Sequence, residues 1–265
     1  MLNQWLRWQP IVPNPYKKFS IIHVDHIDQL QPAVQAHLLE LMLRAKLEDD
    51  FIERVSSRLN WDSKIIRKHL IKRLLPVQSN AKRGEFGETL ISALLEQFAG
   101  YFIPVPKLQF KLTSGQSLPA TDALAIKVDA SNSITEVCYV ESKLRTRTDN
   151  NAAVQAAHQL QHDISVTTPD ILSFVTRILH KQNSPLADPF IDYLADRNDT
   201  REKDSHCIGL CWDKTVWTDT VLANLEEDGI KLDRLAIPIV RIEQLADLTD
   251  KLFKELGIDK VEDDD

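Results

Sequence analysis

No stretch of the chain approaches the roughly 18 consecutive apolar residues that a membrane-spanning helix requires, so no membrane role is expected. Cysteine is scarce: Cys138, Cys207 and Cys211 are the only three among 265 residues. They form neither a paired framework nor a zinc-ligand spacing, which excludes a disulfide-stapled scaffold and a zinc ribbon. Two of them lie in the apolar stretch HCIGLCW and read as buried thiols, the usage expected of a reducing cytoplasm. The opening MLNQWLRWQP lacks the apolar core of a secretory leader, which points the same way. Positive charge is not in excess either. Lys and Arg number 32 against 39 Asp and Glu, a formal net charge of −7. Bulk electrostatics therefore argue against a chain that grips free nucleic acid by itself; contact with DNA or RNA has to run through a local patch or a partner. Internal repeats are also missing.

What is present is an ordinary globular composition, 43% hydrophobic and 27% charged. The length allows one large domain or two small ones with a substantial core. Prolines 10, 13, 15 and 32 keep residues 1–35 irregular apart from a strand candidate, FSIIHVDHI. Helical spacing of Val34, Leu38, Leu41, Met42 and Leu47 predicts a helix within 33–59. Asp62 or Ser63 caps another that Pro76 ends. The polar stretch PVQSNAKRG marks a boundary between a mostly helical region, 1–78, and a second domain, 79–265. In the second part GEFGETLISALLEQFAG reads as an amphipathic helix stopped by Gly100. Strands are expected at 107–112, 121–128 and 136–145, the last two joined through DASNS as a hairpin. Helices follow at 150–164 and 170–180, then strands at 206–212 and 234–240, and a last helix near 242–256. The acidic end VEDDD reads as a frayed tail. The expected class is α/β, a mixed sheet flanked by helices.

The chemistry concentrates in YVESKLRT, residues 139–146. A strand alternates faces, so Glu141 and Lys143 point the same way. Alone they make a surface ion pair of little value. Asp122 starts the strand before them, and a hairpin brings it close. On the preceding helix, Glu88 lies at the edge of the apolar stripe and can look toward the sheet, whereas Glu85 points farther out. Two carboxylates suit a hard divalent cation such as Mg²⁺ or Mn²⁺, which keeps several waters. Next to a phosphodiester such an ion activates water and neutralises developing charge. Lys143 is placed to orient that water.

These residues resemble the PD-(D/E)xK nuclease superfamily: Glu88 in GEFGE, Asp122 in PATDAL and Glu141-Ser142-Lys143 in YVESK. The proline, Pro119, stands three before the Asp rather than beside it. The stretches RGEFGETLISALLEQ, PKLQFKLTS, TDALAI and YVESK, over about residues 83–146, look more narrowly like the HamA family, nuclease subunits of the Hachiman anti-phage system. The resemblance implies a restriction-endonuclease-like core and metal held by Asp122 and Glu141 with help from Glu88 and the Ser142 carbonyl. It further implies Mg²⁺-dependent hydrolysis of DNA, and a helicase partner that the N-terminal region docks. A glutamine on the helix after the Glu-x-Lys strand supports the site in that superfamily, here Gln155. Arg145 and Arg147 reach toward phosphates or end a solvated strand. Two other readings stay open: a stand-alone restriction or repair nuclease, and a non-catalytic interaction module on the same fold.

Other patterns have plain explanations. Asp62-Ser63-Lys64 repeats the Glu-x-Lys spacing at a helix start, as a cap and a surface lysine. His158 and His162 stand four apart without the remaining zinc-site residues, and His23-x-Asp25-His26 ends a strand. Lys64, Lys68 and Lys72 form a solvated stripe, joined by Lys82 and Arg83. Trp5 and Trp8 serve packing or anchor a partner.

Overall fold

The computed structural model describes residues 1–27, 29–110, 121–166, 168–195 and 201–257, without the side chains of 64, 68, 165–166, 168–170 and 201. In chain order come β1 (Leu6–Pro10), β2 (Phe19–His26), α1 (Pro32–Arg44), α2 (Asp49–Leu59), α3 (Ser63–Leu74) and α4 (Ser79–Ala99). Next come β3 (Ala123–Val128), β4 (Ile134–Arg145), α5 (Ala152–Val166), α6 (Thr168–Lys181) and α7 (Ala187–Ala195). The chain closes through β5 (Asp204–Asp213), α8 (Thr220–Glu227), β6 (Leu235–Ile242) and α9 (Leu245–Gly257).

The strands form one six-stranded sheet in the order β1-β2-β6-β5-β4-β3. The inner four run parallel, and the two edges, β1 and β3, are antiparallel. Parallel strands need cover on both faces. Helices α5 to α8 cover one, burying Leu160, Leu172, Phe190 and Leu222 against Tyr139, Ile208 and Trp212. Helices α1, α4 and α9 cover the other, burying Leu38, Leu90, Leu94 and Leu252 against Cys138, Cys207 and Val240. The α/β class with a mixed, helix-flanked sheet is as expected, and the arrangement is consistent with a restriction-endonuclease-like core. No described helix is long and apolar enough to cross a membrane.

Helix α4 lies unusually close to the sheet. A Cβ on Gly209 of β5 would stand 2.3 Å from Ile91 Cγ1, and one on Gly87 3.2 Å from Leu144 Cβ. Small residues at both crossings let the helix settle onto β4 and β5. Gly100 ends the helix in the left-handed region, with φ 69°, the conformation glycine adopts without penalty.

The hairpin of β3 and β4 forms with Ala123 opposite Val140. Elsewhere the structure corrects the reading. Lys107–Phe110 is a 3-10 turn rather than a strand; Gln109 N–H donates to the Pro106 carbonyl, closing the turn after the proline. Residues 111–112 of that expectation lie outside the described residues, as does the tail 258–265. Residues 6–10, read as irregular, form β1, whose Pro10 is tolerated because the strand is an edge. The helical span 33–59 is two helices, α1 and α2, with Lys46 turned inward between them. Helix α4 begins within the polar stretch taken as a boundary. Two helices, α7 and α8, were not anticipated. The sheet crosses position 78: β2 pairs with β6 from Phe19↔Leu235 to Asp25↔Arg241. Trp5 is buried in the core, and Trp8 stacks on Phe98 with centroids 5.8 Å apart.

Candidate active site

Strand β4 outruns its partner. Its pairing with β3 stops at Ala123↔Val140, so Glu141 to Arg145 pair only with β5 on one side. Asp122 sits in the gap just before β3. Its Oδ2 accepts hydrogen bonds from the Ser142 amide and the Ser142 hydroxyl, both 2.8 Å. A strand residue sends its N–H and C=O to the same side, so the Ser142 carbonyl also points past the start of β3. Alternation puts Glu141 and Lys143 on the face of Tyr139, while Ser142 and Leu144 face α4.

Glu141 is buried, with 5% exposure, and Lys143 Nζ donates to its Oε1 at 2.6 Å. Burial and the nearby charge of Asp122 push the Glu141 carboxyl up to about 7, against the pull of Lys143 and of Lys107. Lys107 Nζ lies 3.9 Å from Asp122 Oδ1. Two carboxylates and two ammonium groups therefore meet where β3 and β4 part. A cleft of about 440 Å³ opens on the α4 side of Asp122 and Lys107, lined by these two with Glu88, Ser92 and Glu96 among others; Glu141 and Lys143 lie on the other face of β4 and do not line it.

A family model, HamA, matches residues 6–256. The chain belongs to the HamA family. That match takes in the N-terminal strands and helices as well as the Glu-x-Lys strand, and places the chain among anti-phage defence proteins. No curated protein shows a significant match to the chain.

Of the residues anticipated for this HamA-family chain, Glu141 and Lys143 are in contact, Asp122 is near enough for its charge to act on Glu141, and Glu88 lines the cleft that Asp122 also lines. Glu85 corrects the helical-wheel reading: it is 3% exposed and ion-paired with Lys46. It points away from the sheet, as expected, but α1 and α3 form a further layer that buries it; Lys46 also donates to the Leu74 carbonyl. Gln155 is exposed on α5, whose inner face is Ala152, Ala153, Ala156, Ala157 and Leu160. Arg145 Nε is held by Asp149 Oδ2 at 2.7 Å, and Arg147 is exposed.

Lys107 and the Ser142 hydroxyl were missed. Nothing in KLQF marks its lysine, because what matters is that the turn after Pro106 aims it at Asp122. The histidines of the two sequence patterns, His23, His26, His158 and His162, have partners of their own. Arg241 holds Asp25 with two bonds of 2.8 Å and contacts His23 Nδ1 at 3.3 Å. His158 lies 3.5 Å from Asp228 and His162 3.5 Å from Asp163. Lys72 is exposed on α3, and the side chains of Lys64 and Lys68 lie outside the described residues.

Among the described residues, no three His, Cys, Asp or Glu side chains converge tightly enough to hold a metal ion unaided. The donor set at the fork is two carboxylates and the Ser142 carbonyl, on β4 beyond the start of β3. That suits Mg²⁺, which takes one or two carboxylates and fills its octahedron with water and substrate oxygens. The same set is too poor in nitrogen and sulfur for zinc. The raised Glu141 carboxyl fits as well, since two carboxylates crowded in a buried site favour a cation between them.

Proposed function

We propose that this HamA-family chain is a Mg²⁺-dependent nuclease that hydrolyses phosphodiester bonds of DNA. It acts in the cytoplasm as the effector of an anti-phage complex with a helicase. The observation that supports this reading best is the meeting of Asp122, Glu141 and Lys143 at the opening between β3 and β4. Asp122 and Glu141 would hold the cation, with the Ser142 carbonyl beside them, and Glu88, in the cleft that Asp122 lines, would support it. When bound, the cation neutralises charge developing at phosphorus and makes its water a better nucleophile.

The chain's own residues do the rest. Ser142 fixes the Asp122 carboxylate through two hydrogen bonds, leaving Oδ1 toward the cleft. Lys143, in contact with Glu141, would hold and orient the attacking water. Lys107 offers a second positive charge to a phosphate at the cleft mouth. Arg145, at the end of the same strand, reaches a flanking phosphate by leaving Asp149. Gln155, exposed on α5, is given no role in these steps.

The acidic balance of the chain fits an enzyme that depends on a partner to bring it to DNA. Titration calorimetry with Mg²⁺ and Mn²⁺ tests the metal centre. Binding to the intact chain that is lost in Asp122→Ala, with the fold kept, is expected. Equal binding in both, or none in either, favours the non-catalytic interaction module.

A further inference from the structure

A second cavity, of about 560 Å³, opens at the opposite end of the sheet. Its size falls within the roughly 300–1,000 Å³ of small-molecule sites. The floor is apolar: Ile22, Ala236, Pro238, Cys138, Cys207 and Leu95. The mouth is cationic: Lys17, Lys18, Lys127 and Arg234 line it against one carboxylate, Glu136. The two halves differ in chemistry as a ligand with a flat apolar body and an anionic end would require.

The cations are held in place. Glu136 Oε2 binds Lys127 Nζ at 3.2 Å, and its Oε1 lies 3.2 Å from Arg234 Nη2. Tyr101 donates to Oε1 at 2.6 Å, and Lys127 Nζ sits over the Tyr101 ring, 4.1 Å from its centre. One carboxylate therefore orients two positive groups and leaves the cluster with net positive charge. Across the mouth, the Lys18 ammonium donates to the Glu226 and Asp228 carbonyls, which carry no full charge to cancel its own. The Lys17 and Lys18 amides bind the Glu226 carboxylate, which does not line the cavity. Arg234 adopts a left-handed backbone, φ 51°, a conformation that costs a non-glycine residue energy and gathers at functional sites. Trp8, stacked on Phe98, forms part of the wall.

From this we infer that the cavity is a nucleotide site: the base lies on the apolar floor beside Trp8, and the phosphate is met by Lys127, Arg234 and Lys17. It is separate from the nuclease fork. Glu136 precedes Glu141 by five residues on β4, about 16 Å at the usual rise of a strand. The inference does not depend on the nuclease reading. The ligand is a free nucleotide or the phosphorylated end of a DNA strand, which share this chemistry.

Titration calorimetry of the full chain in EDTA decides it, with dAMP, ADP, adenosine, inorganic phosphate and a 5′-phosphorylated tetradeoxynucleotide as probes. Nucleotide binding is expected at least tenfold tighter than adenosine or phosphate alone. Lys127→Ala and the exposed Lys17→Ala are each expected to weaken it at least fivefold, while thermal melting reports that the fold is kept. Glu136→Gln removes the competing carboxylate and is expected to tighten binding; a merely structural role for Glu136 predicts the reverse. A preference for the tetranucleotide assigns the cavity to a strand end, and a preference for the mononucleotide to a free ligand. Absence of binding by every probe, or binding that none of the three substitutions changes, overturns the inference.

Discussion

Replacing Glu141 by Gln removes a carboxyl group that folding makes harder to ionise. Its carboxyl rises from the ordinary 4.5 to about 7, first because it is buried and then because Asp122 is near. A raised carboxyl pKa means that the folded state holds its proton more tightly than the unfolded state does. The stabilising effect is therefore complete below about pH 4.5 and is lost as pH climbs through about 7. At 1.36 kcal/mol per unit, the full excursion is on the order of 3 kcal/mol. For a chain of this size that corresponds to a melting shift of about 5–10 °C. The assay is thermal unfolding of the metal-free wild type and Glu141→Gln between pH 5 and 9. The stability of wild type relative to the variant is expected to fall across pH 5–8. Any constant cost of leaving Lys143 without its carboxylate drops out, because only the slope is read. Adding Mg²⁺ should restore wild type more at pH 8 than at pH 6, and do much less for the variant. A difference that is flat with pH, or that rises, refutes the reasoning about the fork.

Three other outcomes follow from the packing. Gly209→Ala places a methyl within 2.3 Å of Ile91, so thermal or urea unfolding should show a loss of about 1–3 kcal/mol. Lys46→Ala removes a buried partner of the Glu85 carboxylate and should cost about 3–5 kcal/mol in the same assay, most of it recovered in Lys46→Met/Glu85→Leu. The three cysteines are buried and reduced, with burial pushing Cys138 and Cys211 up to about 12; a thiol reagent at pH 8 should label none in the native chain and all three in denaturant.

The hairpin that builds the fork was legible because its signals are local. Asp129 in DASNS accepts from the Ser131 and Ser133 amides at 2.8 and 3.0 Å, and strict alternation fixes which residues of β4 share a face. Asp122, Glu141 and Lys143 could thus be grouped from spacing alone. What the sequence hid depends on layers distant along the chain. Edge strand β1 is short and ends in proline, so its pattern is weak, and only its pairing with β2 identifies it. Glu85 looked solvent-facing on a lone helix and is buried by helices from residues 32–74. Gln155 depended on the rotation of α5, which is set by the alanines packed on the sheet. Lys107 depended on a turn after proline rather than on a strand.

The central claim is that the YVESK strand carries a metal-dependent nuclease centre. The most direct test is plasmid cleavage in Mg²⁺ or Mn²⁺ by the intact chain, Glu141→Ala and Lys143→Ala, with and without the proposed helicase partner. Cleavage by the intact chain that rises with the helicase, and is lost in both folded variants, is predicted. Equal cleavage by all three, or none by the intact chain with the proposed partner present, contradicts the claim and returns Glu141 and Lys143 to a plain ion pair.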